Sequence, residues 1–166
     1  MTDNKIHEFF MGEALKQAKL SFDADEVPIG AVLVYQNKII ANGHNLSITK
    51  HDPSAHAEIL TIRNAGQYMK NYRLLDCSLY VTLEPCVMCL GAIFHARINN
   101  LIFGAYDFKT GACESVVNLK ENKELNHHCI IHGGVLEKES QKLLQDFFKI
   151  KRKKNRENKS RFLKNK

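Results

Sequence analysis

Residues 78–104, SLYVTLEPCVMCLGAIFHARINNLIFG, carry the sequence pattern that decides the fold. Residues 78–83 are a β-type run, and residues 86–96 have helical spacing with Pro85 at the head of the helix, where proline is tolerated. Residues 98–104 are a second apolar strand. A strand, a helix and a strand in direct succession predict a β-α-β unit with parallel strands and a right-handed crossover.

The chain before this unit predicts a helix and a hairpin. Apolar side chains recur every four positions over residues 7–22, which is typical of an amphipathic helix. Two β-type runs follow at residues 29–35 and 38–42, and they are joined by Gln36-Asn37. A two-residue connection of this kind predicts a tight β-hairpin.

Two more helices are predicted on either side of the β-α-β unit. Residues 52–54, Asp-Pro-Ser, resemble a helix start, so a helix is expected over about residues 55–65 with Gly66 stopping it. Residues 137–150 have the pattern of a final amphipathic helix, whereas residues 105–135 fit strand and helix equally poorly. Alternating strands and helices favour a three-layer α/β/α domain on one mixed five-stranded sheet.

Composition limits the class of protein. The 166 residues suit one domain, and 44% hydrophobic and 25% charged residues are near globular averages. The apolar runs are well short of the roughly 20 residues that cross a bilayer, so no membrane segment is expected. The first residues, MTDNK, contain no apolar signal core, and five cysteines are an odd number that includes one Cys-x-x-Cys pair. We therefore expect a cytoplasmic protein with free thiols or thiolate ligands.

The net charge of +6 is concentrated at the carboxyl end. Residues 149–166 contain ten Lys or Arg and one acid, which gives this segment +9 and leaves −3 for the rest of the chain. We expect residues 1–150 to form the domain, including the final helix, and residues 151–166 to form a basic tail. Such a tail favours a polyanionic partner, most simply nucleic acid. A solvated helix end that only aids solubility is an equal alternative.

Four residues at two predicted helix starts suggest a metal-dependent active site. A Cys-x-x-Cys pair at a helix start places Cys86 and Cys89 on one face, where the helix dipole favours the thiolates that bind metal. His56 can supply a third ligand, and zinc with three protein ligands keeps a position open for water. Glu58 lies two residues after this histidine and can take a proton from that water.

A structural zinc site is the competing interpretation of the same residues. A fourth ligand would close the site, and Cys77, Cys113, Cys129 or His44 could supply it. A closed site would leave Glu58 without a role. The pair His127-His128 has no matching partner pattern and is expected at the surface or in local hydrogen bonds.

His-x-Glu followed by Pro-Cys-x-x-Cys is a signature of zinc nucleobase deaminases. Beyond this motif, several other runs resemble the bacterial tRNA-specific adenosine deaminases of the cytidine and deoxycytidylate deaminase superfamily. The resemblance covers about residues 8–152, and its main runs are VPIGA at 27–31, GHN at 43–45, HDPSAHAEI at 51–59, LYVTLEPCVMC at 79–89, GA at 104–105, Asp107, KTGA at 109–112 and LNH at 125–127.

This resemblance implies a cytidine-deaminase-like fold and the conversion of adenosine to inosine at wobble position 34 of a tRNA anticodon. It implies a homodimer that binds the anticodon stem-loop, with one Zn²⁺ per subunit held by His56, Cys86 and Cys89. Hydroxide then attacks C6 of the flipped adenine, while Glu58 shuttles protons to N1 and to the leaving ammonia.

The same resemblance extends to three substrate contacts. Asn45 is expected to contact the target nucleoside, and Asp107 to lie near the neighbouring ribose. Phe148 belongs to an aromatic pair on the last helix that can border the base pocket, although it and Phe147 could both pack in the core.

Two other function classes remain open from the residues alone. A deaminase of free guanine or cytosine would share the zinc motif and the fold, but it would need no polyanion surface. A zinc-stabilised RNA-binding module would explain the charge and the cysteines, but it would not explain Glu58.

Overall fold

The computed structural model describes residues 3–164 and the side chains of residues 4–160. A single 3₁₀ turn at Leu119–Glu121 is the regular element between the last two strands. The helices are α1 (Asp3–Asp23), α2 (Ser47–Lys50), α3 (Ala57–Met69), α4 (Val87–His95) and α5 (Glu137–Lys164), and the strands are β1 (Gly30–Tyr35), β2 (Lys38–His44), β3 (Cys77–Leu83), β4 (Asn100–Ala105) and β5 (Ile130–His132).

One mixed five-stranded sheet organises the molecule, as the sequence predicts. Its strand order is β2-β1-β3-β4-β5; β1 runs antiparallel to β2 and β3, whereas β3, β4 and β5 are parallel. The predicted hairpin turns at Gln36 and Asn37, which have φ values of 48° and 60°. Positive φ at both central residues is the geometry of the tight turns that match strand twist. The β-α-β unit comprises β3, α4 and β4, as predicted.

The alternating strand residues build two cores, one on each face of the sheet. Leu79 and Leu101 face a cluster that includes α3 and α4 residues, whereas their chain neighbours Tyr80 and Ile102 face a cluster with α1. Successive side chains of a strand point to opposite faces of the sheet, so each central strand contributes side chains to both cores. Helix α5 lies beside α1 and contacts β4. The predicted three-layer α/β/α architecture is therefore confirmed.

The helix predicted over about residues 55–65 corresponds to α3, and the prediction is wrong at both ends. Helix α3 begins at Ala57, and its first N–H donates to Asn45 Oδ1 at 2.8 Å, so residues 52–54 form a turn before the helix. Gly66 lies inside the helix, which ends at Met69 and is followed by Lys70 in the left-handed region with φ 52°. An interior glycine costs only about 1 kcal/mol, so packing of the flanking turns can carry the helix through it.

Helix α5 runs without a break across the boundary predicted at residue 150. The segment expected as a basic tail is therefore helical as far as Lys164. Of the poorly patterned residues, 130–132 form the short edge strand β5, while Val116 and Val117 belong to neither a helix nor a strand. None of the helices within residues 3–164 combines the length and the apolar character needed to cross a membrane.

Candidate active site

The three predicted metal ligands meet at the starts of two helices. His56 is the residue before α3, Cys86 is the residue before α4, and Cys89 lies in the first turn of α4. His56 Nδ1 is 3.5 Å from Cys89 Sγ and 3.8 Å from Cys86 Sγ, and all three ligand atoms lie within 4.8 Å of one another. Nitrogen and sulfur ligands on a tetrahedral zinc are about 3.6 Å apart, given the usual bond lengths. The donor set therefore fits zinc in both chemistry and spacing.

The two cysteine thiols of the cluster differ in how readily they ionise. The Cys89 thiol donates a hydrogen bond to Cys86 Sγ, and with the adjacent His56 it lowers the pKa of Cys86 to about 4. The same hydrogen bond, together with burial, raises the pKa of Cys89. The hydrogen bond with Cys86 also raises the pKa of His56. Cys86 is therefore the thiol that ionises more readily, and zinc binding to both cysteines requires release of the Cys89 proton.

Glu58 places a carboxyl group beside this cluster. The residue is only 4% exposed, in the first turn of α3. Burial raises the pKa of Glu58 to about 7. A group with this pKa can both accept and release a proton near neutral pH, which is the requirement for general acid–base catalysis.

The alternative of a closed structural site finds no support in the described residues. The cluster of possible ligands within that part of the chain comprises His56, Cys86 and Cys89 alone. Cys77 lies near Met69 in the core, and Cys113 is also fully buried in the core, where burial raises the pKa of both thiols.

A cavity of about 520 Å³ opens onto these groups. It is large enough for a nucleoside, since small-molecule sites span about 300–1,000 Å³. Six of the seven predicted site residues line the cavity, and Cys89 lies buried behind it. The six are Asn45, His56, Glu58, Cys86, Asp107 and Phe148.

Asn45 joins the cavity to the start of α3. Its side chain is almost fully buried, and its Oδ1 accepts the Ala57 N–H at 2.8 Å. Its backbone is also fixed, since its N–H donates to Ile29 O at 3.0 Å and its carbonyl accepts the Ser21 hydroxyl at 2.9 Å. Asn45 therefore caps the helix that carries His56 and Glu58, in addition to facing the cavity.

The two phenylalanines of α5 have different environments. Phe147 is 4% exposed and packs edge-on against Phe22, so its role is in the core. Phe148 is 42% exposed and lines the cavity mouth. Phe147 therefore packs in the core, whereas the Phe148 ring is accessible to a ligand in the cavity.

Asp107 belongs to a tightly bonded loop. Its carboxylate accepts the Lys109 N–H at 2.9 Å and the Thr110 hydroxyl at 2.6 Å, which closes a turn at the cavity edge. The neighbouring Phe108 is well exposed and also lines the cavity.

Glu84, which the sequence patterns do not single out, anchors this loop. The carboxylate is 2% exposed and accepts hydrogen bonds from four backbone N–H groups and one hydroxyl. The N–H donors are Asp107 at 3.1 Å, Cys113 at 3.0 Å, Glu114 at 2.9 Å and Ser115 at 3.1 Å, and the hydroxyl is that of Ser115. The sequence does contain one sign of such a role, since Glu84 is an acidic residue at the end of an apolar strand and directly before the Pro-Cys pair.

Gly111 allows the loop to reach Glu84. A Cβ atom at this position would lie 2.5 Å from both the Glu84 carboxyl group and the Asp107 carbonyl oxygen. The loop also pairs with the zinc-ligand segment through an isolated bridge between Cys86 and Gly111. The loop that carries Asp107 and the segment that carries Cys86 are therefore held as one unit.

Comparison with known proteins places this site in a family. Residues 4–105 match the family model of the cytidine and deoxycytidylate deaminase zinc-binding region. The tRNA-specific adenosine deaminase of Haemophilus influenzae is 46% identical over 150 residues, which cover 90% of this chain and 87% of that protein. The chain belongs to the tRNA-specific adenosine deaminase family. It is a zinc-dependent hydrolytic deaminase by membership of this family.

Other relatives agree with this assignment. The Bacillus subtilis tRNA-specific adenosine deaminase is 45% identical over 147 residues, or 89% of this chain and 91% of that protein. A solved structure from work on A-to-I editing by tRNA:A34 deaminases superposes with a TM-score of 0.80 at 44% identity, covering 82% of this chain and 99% of that one.

The fold is shared with deaminases of free bases. A guanine deaminase structure from Bacillus subtilis superposes with a TM-score of 0.59 at 39% identity. The matched region covers 72% of this chain and 76% of the guanine deaminase. The zinc motif and the sheet therefore do not by themselves separate an RNA substrate from a free base.

Proposed function

We propose that the protein hydrolytically deaminates adenosine to inosine at wobble position 34 of a tRNA anticodon. The observation that carries this proposal is the buried Glu58 carboxyl beside a three-ligand cluster at a 520 Å³ cavity. Relatives named as tRNA-specific adenosine deaminases, at 41–49% identity, support adenosine in tRNA as the substrate.

His56, Cys86 and Cys89 would hold one zinc ion per chain. Two thiolates and a neutral imidazole satisfy three tetrahedral positions, and the cavity leaves the remaining direction accessible. Bound zinc supplies the Lewis acidity that makes water a nucleophile near neutral pH.

Glu58 would move the protons. Its carboxylate would take one proton from the attacking water and deliver it to N1 of adenine, and would then pass the second proton of the same water to the amino group that leaves from C6. The new C6–O bond replaces the C6–N bond, and the products are inosine and ammonia. Burial raises the pKa of Glu58, which favours the protonated form and so helps the same carboxyl group to act as acid after it has acted as base.

Asn45, Asp107 and Phe148 would position the nucleotide. Asn45 is fixed by three hydrogen bonds, Phe148 offers an exposed aromatic face for stacking, and Asp107 holds the turn at the cavity edge. The proposal also includes a homodimer in the cytoplasm, which the family resemblance implies. Light scattering of the purified protein in solution tests the dimer.

A substrate comparison tests the proposed function. The zinc-loaded protein is incubated with an adenosine-34 anticodon stem-loop and, separately, with guanine, cytosine and adenosine, and inosine and ammonia are measured. We expect inosine from the stem-loop and no turnover of the free bases. Turnover of guanine without turnover of the RNA would overturn the proposal in favour of a free-base deaminase.

A substitution of Glu58 tests the assigned proton shuttle. In Glu58→Gln the zinc ligands are intact, so we expect one zinc per chain and a loss of about 10²–10⁴-fold in kcat, the usual contribution of a positioned acid–base group. Glu139→Gln on the exposed face of α5 is the matched control and should be fully active. A zinc-loaded Glu58→Gln with normal kcat would assign the proton transfer to another group.

A further inference from the structure

Four basic residues lie on α5, after Phe148, the last residue of the helix that lines the cavity. Lys149, Arg152, Lys153 and Arg156 are spaced as i, i+3, i+4 and i+7, which places them on one face of the helix. All four side chains are exposed. We call these four residues the basic face.

The basic face borders a groove between α1 and α5. The groove has a volume of about 660 Å³ and is lined by the basic face together with Phe22, Asp146 and Ile150. Phe22 and Ile150 contribute apolar side chains to its lining. A concave surface lined by both apolar and cationic side chains differs from an evenly solvated helix end.

Other lysines of the same segment fix the helix against the domain. Lys151 Nζ is 2.7 Å from Asp25 Oδ2, and Lys154 Nζ is 3.9 Å from Asp25 Oδ1. Lys151 also lies over the Phe147 ring, 5.4 Å from its centroid. These contacts use a different face of α5, so they orient the helix while leaving the basic face directed at the groove.

The charge of the groove is largely uncompensated. No ion pair involves the basic face among the side chains of residues 4–160. The acid in the groove wall, Asp146, is bonded to Lys142 at 2.7 Å, and Glu157 is the one acid of residues 149–166. The net field at the groove is therefore positive and attracts anions.

The groove and the proposed substrate cavity share no lining residue, but both are lined by residues of the same helix, α5. Phe148 lines the cavity, and Arg152 lies one helical turn further, about 6 Å along the axis. From Lys149 to Arg156 the helix advances about 10 Å. Phosphates of one strand follow each other at a rise of about 3.4 Å in a helical nucleic acid, so this length matches about three phosphates.

We propose that the basic face binds the phosphodiester backbone of the RNA strand that flanks the deaminated nucleotide. This inference rests on the proposed function. The ligand class is a run of about three phosphates, held by exposed Lys and Arg rather than by base-specific contacts. The basic face therefore supplies affinity and register, while the cavity supplies base selection.

The salt dependence of RNA binding tests this inference. A variant with Lys149→Gln, Arg152→Gln, Lys153→Gln and Arg156→Gln is compared with the wild-type chain for binding a fluorescent adenosine-34 stem-loop. Each phosphate contact contributes about 0.7–0.9 to the slope of log K against log salt, so we expect the slope to fall by about 2 between about 50 and 200 mM salt.

A second fourfold variant controls for net charge. Lys5→Gln, Lys38→Gln, Lys123→Gln and Lys138→Gln remove the same charge from exposed positions outside the groove. We expect this control to lower the slope by less than half as much. Equal slopes in the basic-face variant and the control would overturn the inference.

The wild-type reaction separates this inference from the proposed function. If wild-type protein forms inosine from the stem-loop but the basic-face variant binds with an unchanged slope, only the inference on the groove fails. If wild-type protein forms no inosine from the stem-loop, the proposed function itself fails.

Discussion

Replacing Glu84 by glutamine should detach the loop that borders the active site. A glutamine oxygen can still accept the N–H groups of Cys113, Glu114 and Ser115, but its amide nitrogen faces the Asp107 N–H, which then has no acceptor. A buried unsatisfied donor costs about 1–3 kcal/mol, and hydrogen bonds to a charged acceptor exceed neutral ones by about 1 kcal/mol. We therefore expect Glu84→Gln to lose about 2–4 kcal/mol of unfolding free energy at neutral pH.

The same substitution should have a distinctive pH dependence. Burial raises the pKa of Glu84, but the hydrogen bonds from the Ser115 hydroxyl and from the N–H groups of Glu114, Asp107 and Ser115 lower it by more, so the net pKa lies below the ordinary 4.5. A carboxyl with a depressed pKa stabilises the fold above its unfolded-state pKa and loses this contribution as the pH falls through its folded-state pKa. The stability difference between wild type and variant should thus be constant above about pH 5 and shrink below about pH 4.

Urea unfolding of both proteins across this pH range, with a chelator present so that zinc binding does not contribute, measures the difference. Glu114→Gln is the matched control, because it removes a carboxylate of the same loop that only pairs with Lys120 at the surface, at 2.9 Å. Exposed ion pairs contribute about 0–1 kcal/mol. The KM for RNA should rise in Glu84→Gln and not in the control. A Glu84→Gln protein with wild-type stability and KM would refute the anchoring role.

Two further predictions concern helix α3 and the metal. Gly66→Ala should raise the unfolding free energy by about 0.5–1 kcal/mol in urea titrations, since the added methyl meets only Asn71 O at 3.4 Å and alanine is the better helix former; a destabilised variant would contradict this. Chelation should lower the Tm of the wild type by roughly 10 °C, if zinc is present at about a thousand times its Kd. Cys86→Ser should abolish this shift together with zinc retention, whereas Cys77→Ser, in the core, should retain both; equal metal content in the two variants would exclude Cys86 as a ligand.

The features that sequence could predict are the local ones. The Gln36-Asn37 turn, the alternation along β3 and the ligand spacing from Cys86 to Cys89 each depend on neighbours within four residues. Their periods of two and 3.6 are direct consequences of strand and helix geometry. The fold class followed from these local patterns because few topologies connect such a series of elements.

The features that sequence could not predict depend on distant partners. Helix α3 begins at Ala57 because Asn45, twelve residues earlier, accepts its first N–H. It passes Gly66 because flanking residues such as Ala65 are buried in the core. Glu84 finds its donors 23 to 31 residues further along the chain. No local pattern encodes these pairings, so they become visible only when the chain is folded.

The way in which Glu84 holds its loop has a consequence for how this enzyme could diversify. All but one of its bonds are donated by main-chain N–H groups, which every residue other than proline possesses. The path of the loop therefore does not depend on the side chains that face the cavity at Phe108 and Lys109. Substitutions at these two positions can therefore change the surface of the cavity while the path of the loop and the metal-ligand cluster beside it are retained.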